Sequence, residues 1–85
     1  DSNIIEVHAR MGDIARVQHR YEDAVDHYEE AIRRYPPDAA SRVKLCDLLV
    51  SLNRRAEASV ALQALVGAAP THQDIPRLRQ TIGDH

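Results

Sequence analysis

Histidine and cysteine are the side chains of this sequence that could bind a metal ion or carry out acid–base chemistry. The histidines are His8, His19, His27, His72 and His85, and Cys46 is the single cysteine. None of these residues forms a zinc-type spacing with one another or with Asp and Glu, and the HExxH motif is absent. We therefore expect histidines that lie on the surface, with no bound metal and no other cofactor.

Motifs for covalent catalysis and phosphate binding are also absent. The chain has no glycine-rich phosphate loop, no nucleophile elbow and no paired carboxylates in an identifiable cleft. A single cysteine cannot form a disulfide within the chain. We therefore predict that this protein is not an enzyme.

The charge distribution argues against nucleic acid and membranes as partners. The 85 residues carry 11 basic and 13 acidic side chains, a formal net charge of −2. The two arginine doublets, Arg33-Arg34 and Arg54-Arg55, lie at a helix C-terminus or in the turn just beyond it, where positive charge is favourable. No aromatic residues alternate with them, and no apolar run approaches the ~20 residues of a membrane span. We expect neither nucleic-acid binding nor membrane insertion.

The sequence repeats itself after 34 residues. The identical pairs at this offset are Asp13 and Asp47, Arg20 and Arg54, Ala24 and Ala58, and Pro36 and Pro70. Apolar positions coincide as well, and small residues match small residues. A period of this length is typical of a protein built from repeated supersecondary units.

Apolar residues recur at helical spacing twice within each unit. The first stripe of the first unit is Val7, Met11, Ile14, Ala15 and Gln18, the last of them polar. The second stripe is Tyr21, Ala24, Val25, Tyr28, Ala31, Ile32 and Tyr35. The second unit copies both, so each unit is predicted to be a pair of antiparallel helices.

Residues that end or begin helices mark the same boundaries. Pro36 and Pro37 stop the second helix because proline cannot continue the hydrogen-bond ladder. Asp38 is then placed to cap the third helix. Asn53 is suited to a left-handed residue at a helix end, and Pro70 ends the second unit.

These residues resemble the tetratricopeptide repeat, a 34-residue helix–turn–helix unit. The family's Leu-Gly pair falls on Met11-Gly12 and Leu45-Cys46, and its small crossing residue falls on Ala24 and Ala58. Its aromatic residue is Tyr28, and its inter-helix glycine is replaced by His19 and Asn53. The resemblance implies an all-α, right-handed helix-turn-helix solenoid. We expect repeats at 5–38 and 39–72 and a C-terminal capping helix at 73–85, within one domain.

The resemblance also implies a function, the binding of a peptide or partner protein on the concave wall formed by the first helix of each unit. The wall residues expected to contact it are Glu6, Arg10, Asp13, Val17, Lys44, Asp47 and Arg77. The alternative that these are only solvated helix faces stays open. At the positions where some members grip a partner's C-terminal carboxylate, this chain has Ala9, Asp13, Lys44, Asp74 and Leu78. Because only one of these is cationic, we expect no such grip.

The helix at 56–69 suggests a second surface. It is apolar on nearly all sides, and its outer face carries Val60, Ala64 and Gly67. A glycine inside a helix costs roughly 1 kcal/mol relative to alanine, which close approach of another backbone could offset. This face could join copies of the chain in a homo-oligomer or tether it within a larger protein, although an inert alanine-rich surface explains it as well.

Overall fold

The computed structural model describes the backbone of residues 2–83 and the side chains of residues 7–82. Over this range the chain forms α-helices and no β-strand. The helices are α1 (Ser2–Val17), α2 (Tyr21–Arg34), α3 (Ala39–Ser51), α4 (Arg55–Ala68) and α5 (Ile75–Gly83). Each helix packs on the next along the chain, and α5 also contacts α3. The predicted all-α repeat architecture is confirmed.

The two turns inside the helix pairs have the same backbone geometry. His19 and Asn53 have positive φ angles of 63° and 61°. After each of them, a backbone N–H closes the preceding helix: Arg20 donates to the carbonyl of Ala15 at 2.8 Å, and Arg54 donates to that of Leu49 at 2.9 Å. This is the hydrogen bond that ends a helix in a Schellman motif. The left-handed residue predicted at Asn53 is therefore confirmed, and His19 takes the same role.

The break between the two units is as predicted. Helix α2 ends at Arg34 and α3 begins at Ala39, with Pro36 and Pro37 in the turn between them. The Asp38 side chain accepts a hydrogen bond from the backbone N–H of Ser41 at 3.1 Å. The Ser41 hydroxyl donates to the same carboxylate at 2.6 Å, which satisfies a side chain that is only 1% exposed.

Small residues set how closely the paired helices approach. Ala24 and Ala58 are fully buried, at 0% exposure each. In α1, Gly12 lies against the ring of Tyr28, and a Cβ atom at Gly12 would be 2.6 Å from Tyr28 Cε1. The equivalent residues of the second unit are Cys46 and Leu62. There the residue on the first helix of the pair is larger than Gly12, and the residue on the second helix is smaller than Tyr28.

The last helix covers the second unit. Its apolar residues Ile75, Leu78 and Ile82 are buried in the common core, and α5 packs on both α4 and α3. Within residues 2–83, no helix is long and apolar enough to cross a membrane.

Candidate functional site

Asp13 lies between the two units and is bound by both of them. The Tyr28 hydroxyl donates a hydrogen bond to its Oδ1. The Lys44 ammonium, on α3, donates to its Oδ2 at 2.9 Å. Partial burial acts to raise the pKa of Asp13, but the hydrogen bonds from Tyr28 and Lys44 and the positive charge of Lys44 outweigh it and lower the pKa below its ordinary value. Burial and the bond to Asp13 raise the pKa of Tyr28.

Asp47, the equivalent residue of the second unit, is bound in a related way. Arg77 of α5 donates two hydrogen bonds to its carboxylate, at 2.9 and 3.3 Å. Each aspartate is therefore paired with a cation from the first helix of the following unit. The Lys44 and Asp13 side chains are 40% and 36% exposed, and those of Arg77 and Asp47 are 49% and 42% exposed. Ion pairs this accessible contribute little to stability.

The other predicted wall residues lie on α1. Arg10 is exposed, and Val17 is 74% exposed. The side chain of Glu6 lies outside the described residues. The structure thus brings together Asp13 with Lys44 and Asp47 with Arg77, and it leaves Arg10 and Val17 accessible beside them.

A groove that sequence reasoning missed runs between α2 and α4, with α3 as its floor. Its volume is about 560 Å³. The apolar residues that line it are Ile32 from α2, Leu45 and Leu49 from α3, and Ala56, Val60, Ala61 and Ala64 from α4. Because successive residues of an α-helix are rotated by about 100°, Leu45 and Leu49 lie on the opposite side of α3 from Asp47. The groove and the charged wall are therefore separate surfaces.

Charged residues border this groove on each helix. They are Glu29 and Arg33 on α2, Arg42 on α3 and Glu57 on α4. Val60 is 67% exposed, and Ala64 is exposed as well. Their apolar character was visible in the sequence, but the groove was not, since it depends on the space that α2 and α4 leave between them.

Gly67 lies apart from this groove. It is exposed, and among the described residues no atom lies within 4 Å of a Cβ built on it. No close approach within residues 7–82 explains why α4 has a glycine at this position.

The histidines and the cysteine of the described range do not form a reactive cluster. The rings of His8 and His27 stack with their centroids 6.4 Å apart. Within that range, no group of three or more His, Cys, Asp and Glu side chains could hold a metal ion. Cys46 is fully buried, and burial raises the pKa of its thiol to about 11. The thiol is therefore protonated at neutral pH.

Antiparallel helix pairs that recur every 34 residues define the class of helical repeat proteins. Within that class the chain belongs to the tetratricopeptide repeat family, whose sequence model matches residues 15–82. Members of this family generally act in protein–protein interactions and are generally not catalysts. A search of curated proteins found no match to this chain.

Proposed function

We propose that this domain binds a peptide or a partner protein along the wall formed by α1, α3 and α5, and that it has no catalytic role. The observation that carries the proposal is one recurring contact, in which a half-buried aspartate of one first helix is paired with a cation of the first helix that follows. The two pairs are Asp13 with Lys44 and Asp47 with Arg77. They form a row of donors and acceptors along one side of the domain.

Such pairs can exchange partners at small cost. Exposed ion pairs are worth ~0–1 kcal/mol, so a charged group of a ligand can replace one member with little loss of stability. Charge patterns of this kind set the specificity and the rate of association more than the affinity. Arg10 and Val17, both accessible on α1, add a positive charge and an apolar contact at the same edge.

The proposal can be tested with peptides selected from a random display library on the wild-type domain. Binding of the selected peptides is then measured by fluorescence anisotropy for two wall variants, Arg10→Glu and the exchanged pair Asp47→Arg with Arg77→Asp. The exchanged pair keeps an ion pair between α3 and α5 while it reverses the charge pattern. We expect both variants to bind about tenfold more weakly, a loss of about 1.4 kcal/mol, and the wild-type affinity to fall with added salt.

Val60→Glu is the matched control, because Val60 is exposed on α4 and lines the groove, on the side of the domain opposite the wall. It should leave the affinity unchanged. Peptides that bind the two wall variants as well as the wild type, but lose affinity for Val60→Glu, would contradict binding at the wall.

The groove between α2 and α4 supports a second candidate function, self-association of the domain. The supporting observation is an open, apolar volume of about 560 Å³ beside a valine that is 67% exposed. Its border carries two acidic and two basic residues. A two-fold axis brings the same surface patch of two copies together, so that acids of one copy can face bases of the other. We therefore take a second copy of this chain as the occupant.

Sedimentation velocity over a range of concentrations tests this second function. A dimer that forms with the wild type and is lost with Val60→Glu supports it. A wild-type chain that stays monomeric at high concentration, or a dimer that Val60→Glu does not weaken, contradicts it.

A further inference from the structure

One side of α1 carries a stripe of apolar side chains that nothing in the described structure covers. Val7 is 52% exposed, Met11 is 42% exposed and Ile14 is 56% exposed. Their spacing of four and then three residues places them on one face of the helix. This face is adjacent to the charged wall and separate from it.

The same positions are buried in the other first helices. Counting 34 and 68 residues onward, Val7 corresponds to Ser41 and Ile75, and Ile14 corresponds to Leu48 and Ile82. These four side chains are 1%, 4%, 2% and 5% exposed, respectively. Met11 corresponds to Leu45, which is 6% exposed. Helix α3 packs on α2 as well as on its own partner α4, and α5 packs on α4. Because Leu45 and Leu49 line the groove between α2 and α4, the helical rotation places Ser41 and Leu48 on the α2 side of α3. We therefore infer that the equivalent face of α1 is the one that a second helix covers elsewhere in the repeat.

The shape of the surface beside α1 leads to the same conclusion. Met11, Ala15 and His27 line a shallow depression of about 170 Å³. Their equivalents 34 residues on are Leu45, Leu49 and Ala61, which line the larger groove between α2 and α4. The depression is thus the counterpart of that groove, open on the side where α2 borders the larger groove.

We propose that this face of α1 docks an amphipathic helix of the α2 type, namely the second helix of another helix pair of the same repeat family. The repeat itself specifies this occupant, because α3 and α5 each pack on the second helix of the preceding pair, α2 and α4 respectively. A second copy of this chain does not supply such a helix in its described state. Its α2 is already packed on α3, and its α4 is already packed on α5.

The test adds one helix pair before α1, in phase with the repeat. A copy of residues 5–38 is joined directly to Ile5 of the wild-type sequence in place of residues 1–4, which preserves the 34-residue period. The methionine of the added copy is replaced by leucine, so that Met11 of the original α1 stays the only methionine. Its oxidation by dilute hydrogen peroxide is followed by mass spectrometry.

Covering the face should bring Met11 from 42% exposure to the 6% of its equivalent Leu45, a sevenfold drop. We therefore expect oxidation about sevenfold slower than in the wild type, because susceptibility follows exposure, together with a higher urea midpoint. Ile14→Glu in the original α1 is the control. It alters a residue that is 56% exposed, so it should leave the wild-type chain folded while it abolishes both effects in the extended chain.

Three results would overturn the proposal. The first is an extended chain that is helical and monomeric but in which Met11 is oxidised at the wild-type rate. The second is an extended chain less stable than the wild type. The third is a wild-type chain in which Met11 becomes protected at high concentration as a dimer forms, since a second copy would then occupy the face.

Discussion

The contact between Gly12 and Tyr28 predicts that one substitution will have opposite effects at two glycines. In Gly12→Ala, the new methyl group would lie 2.6–3.0 Å from three atoms of the Tyr28 ring. The ring cannot move away easily, because it is fully buried and its hydroxyl is bound to Asp13. In Gly67→Ala, the methyl group meets no atom within 4 Å.

The expected changes in the free energy of unfolding follow from two opposing effects, the higher helix propensity of alanine and the overpacking of its methyl group. Alanine is favoured over glycine by about 1 kcal/mol in a helix interior, and by about 0.5 kcal/mol near the end of α4. Overpacking of a closed site costs up to about 3 kcal/mol. We therefore expect Gly12→Ala to lower the free energy of unfolding by about 2 kcal/mol. Gly67→Ala should raise it by about 0.5 kcal/mol.

Urea unfolding followed by circular dichroism measures both changes. Tyr28→Leu provides the internal check, since the second unit has the larger Cys46 opposite the smaller Leu62. The double variant Gly12→Ala/Tyr28→Leu should lose less stability than the sum of the single variants, with a coupling energy of about 1–2 kcal/mol. A Gly12→Ala chain as stable as Gly67→Ala, or single effects that simply add, would refute the packing argument.

Three further predictions follow from the helix ends and from Asp13. Asp38→Ala should lower the free energy of unfolding by about 1–2 kcal/mol, because it removes the cap of α3 and the partner of the buried Ser41 hydroxyl. A loss below ~0.5 kcal/mol, measured by urea unfolding, would contradict the capping role of Asp38. His19→Gly should raise the melting temperature, because a non-glycine residue in the left-handed region costs about 1 kcal/mol. Asn53→Gly should raise it less, because asparagine tolerates this region better than histidine. A larger increase for Asn53→Gly than for His19→Gly would contradict this reasoning. The lowered pKa of Asp13 means that its ionised form stabilises the fold above its ordinary pKa of 3.8, and that this contribution is lost as the pH falls through the lower folded value. The stability gap between wild type and Asp13→Asn should therefore narrow below about pH 4, and a gap that is constant or widens in acid would contradict the pairing.

The parts of the fold that depend on local sequence could be predicted from the sequence. The proline stop after α2, the cap at Asp38 and the left-handed turn at Asn53 are each specified by residues within a few positions of the feature. The buried crossing residues Ala24 and Ala58 follow from the repeat. Tyr35 is the exception, because it matches the apolar stripe of α2 in the sequence but lies just past the end of that helix and is 49% exposed.

The surfaces depend on how the helices are arranged in space, and the sequence was less informative there. Periodicity indicates which face of a helix is apolar, but it does not say what covers that face. Met11 and Ile14 follow the same pattern as buried residues and are nevertheless exposed. The pairing of Asp13 with Lys44 likewise depends on the angle between the two units, which no local pattern encodes.

The single helix at the C-terminal end has a consequence for assembly. Helix α5 packs on α4 and α3, and its buried residues Ile75, Leu78 and Ile82 cover the second unit. When α5 detaches, α4 displays the counterpart of the surface that α1 presents at the other end. That surface would fit α1 of a second copy without closing into a symmetric pair, and heterologous contacts of this kind propagate into open filaments. The nine-residue helix α5 therefore keeps this surface of α4 covered and unavailable for such contacts.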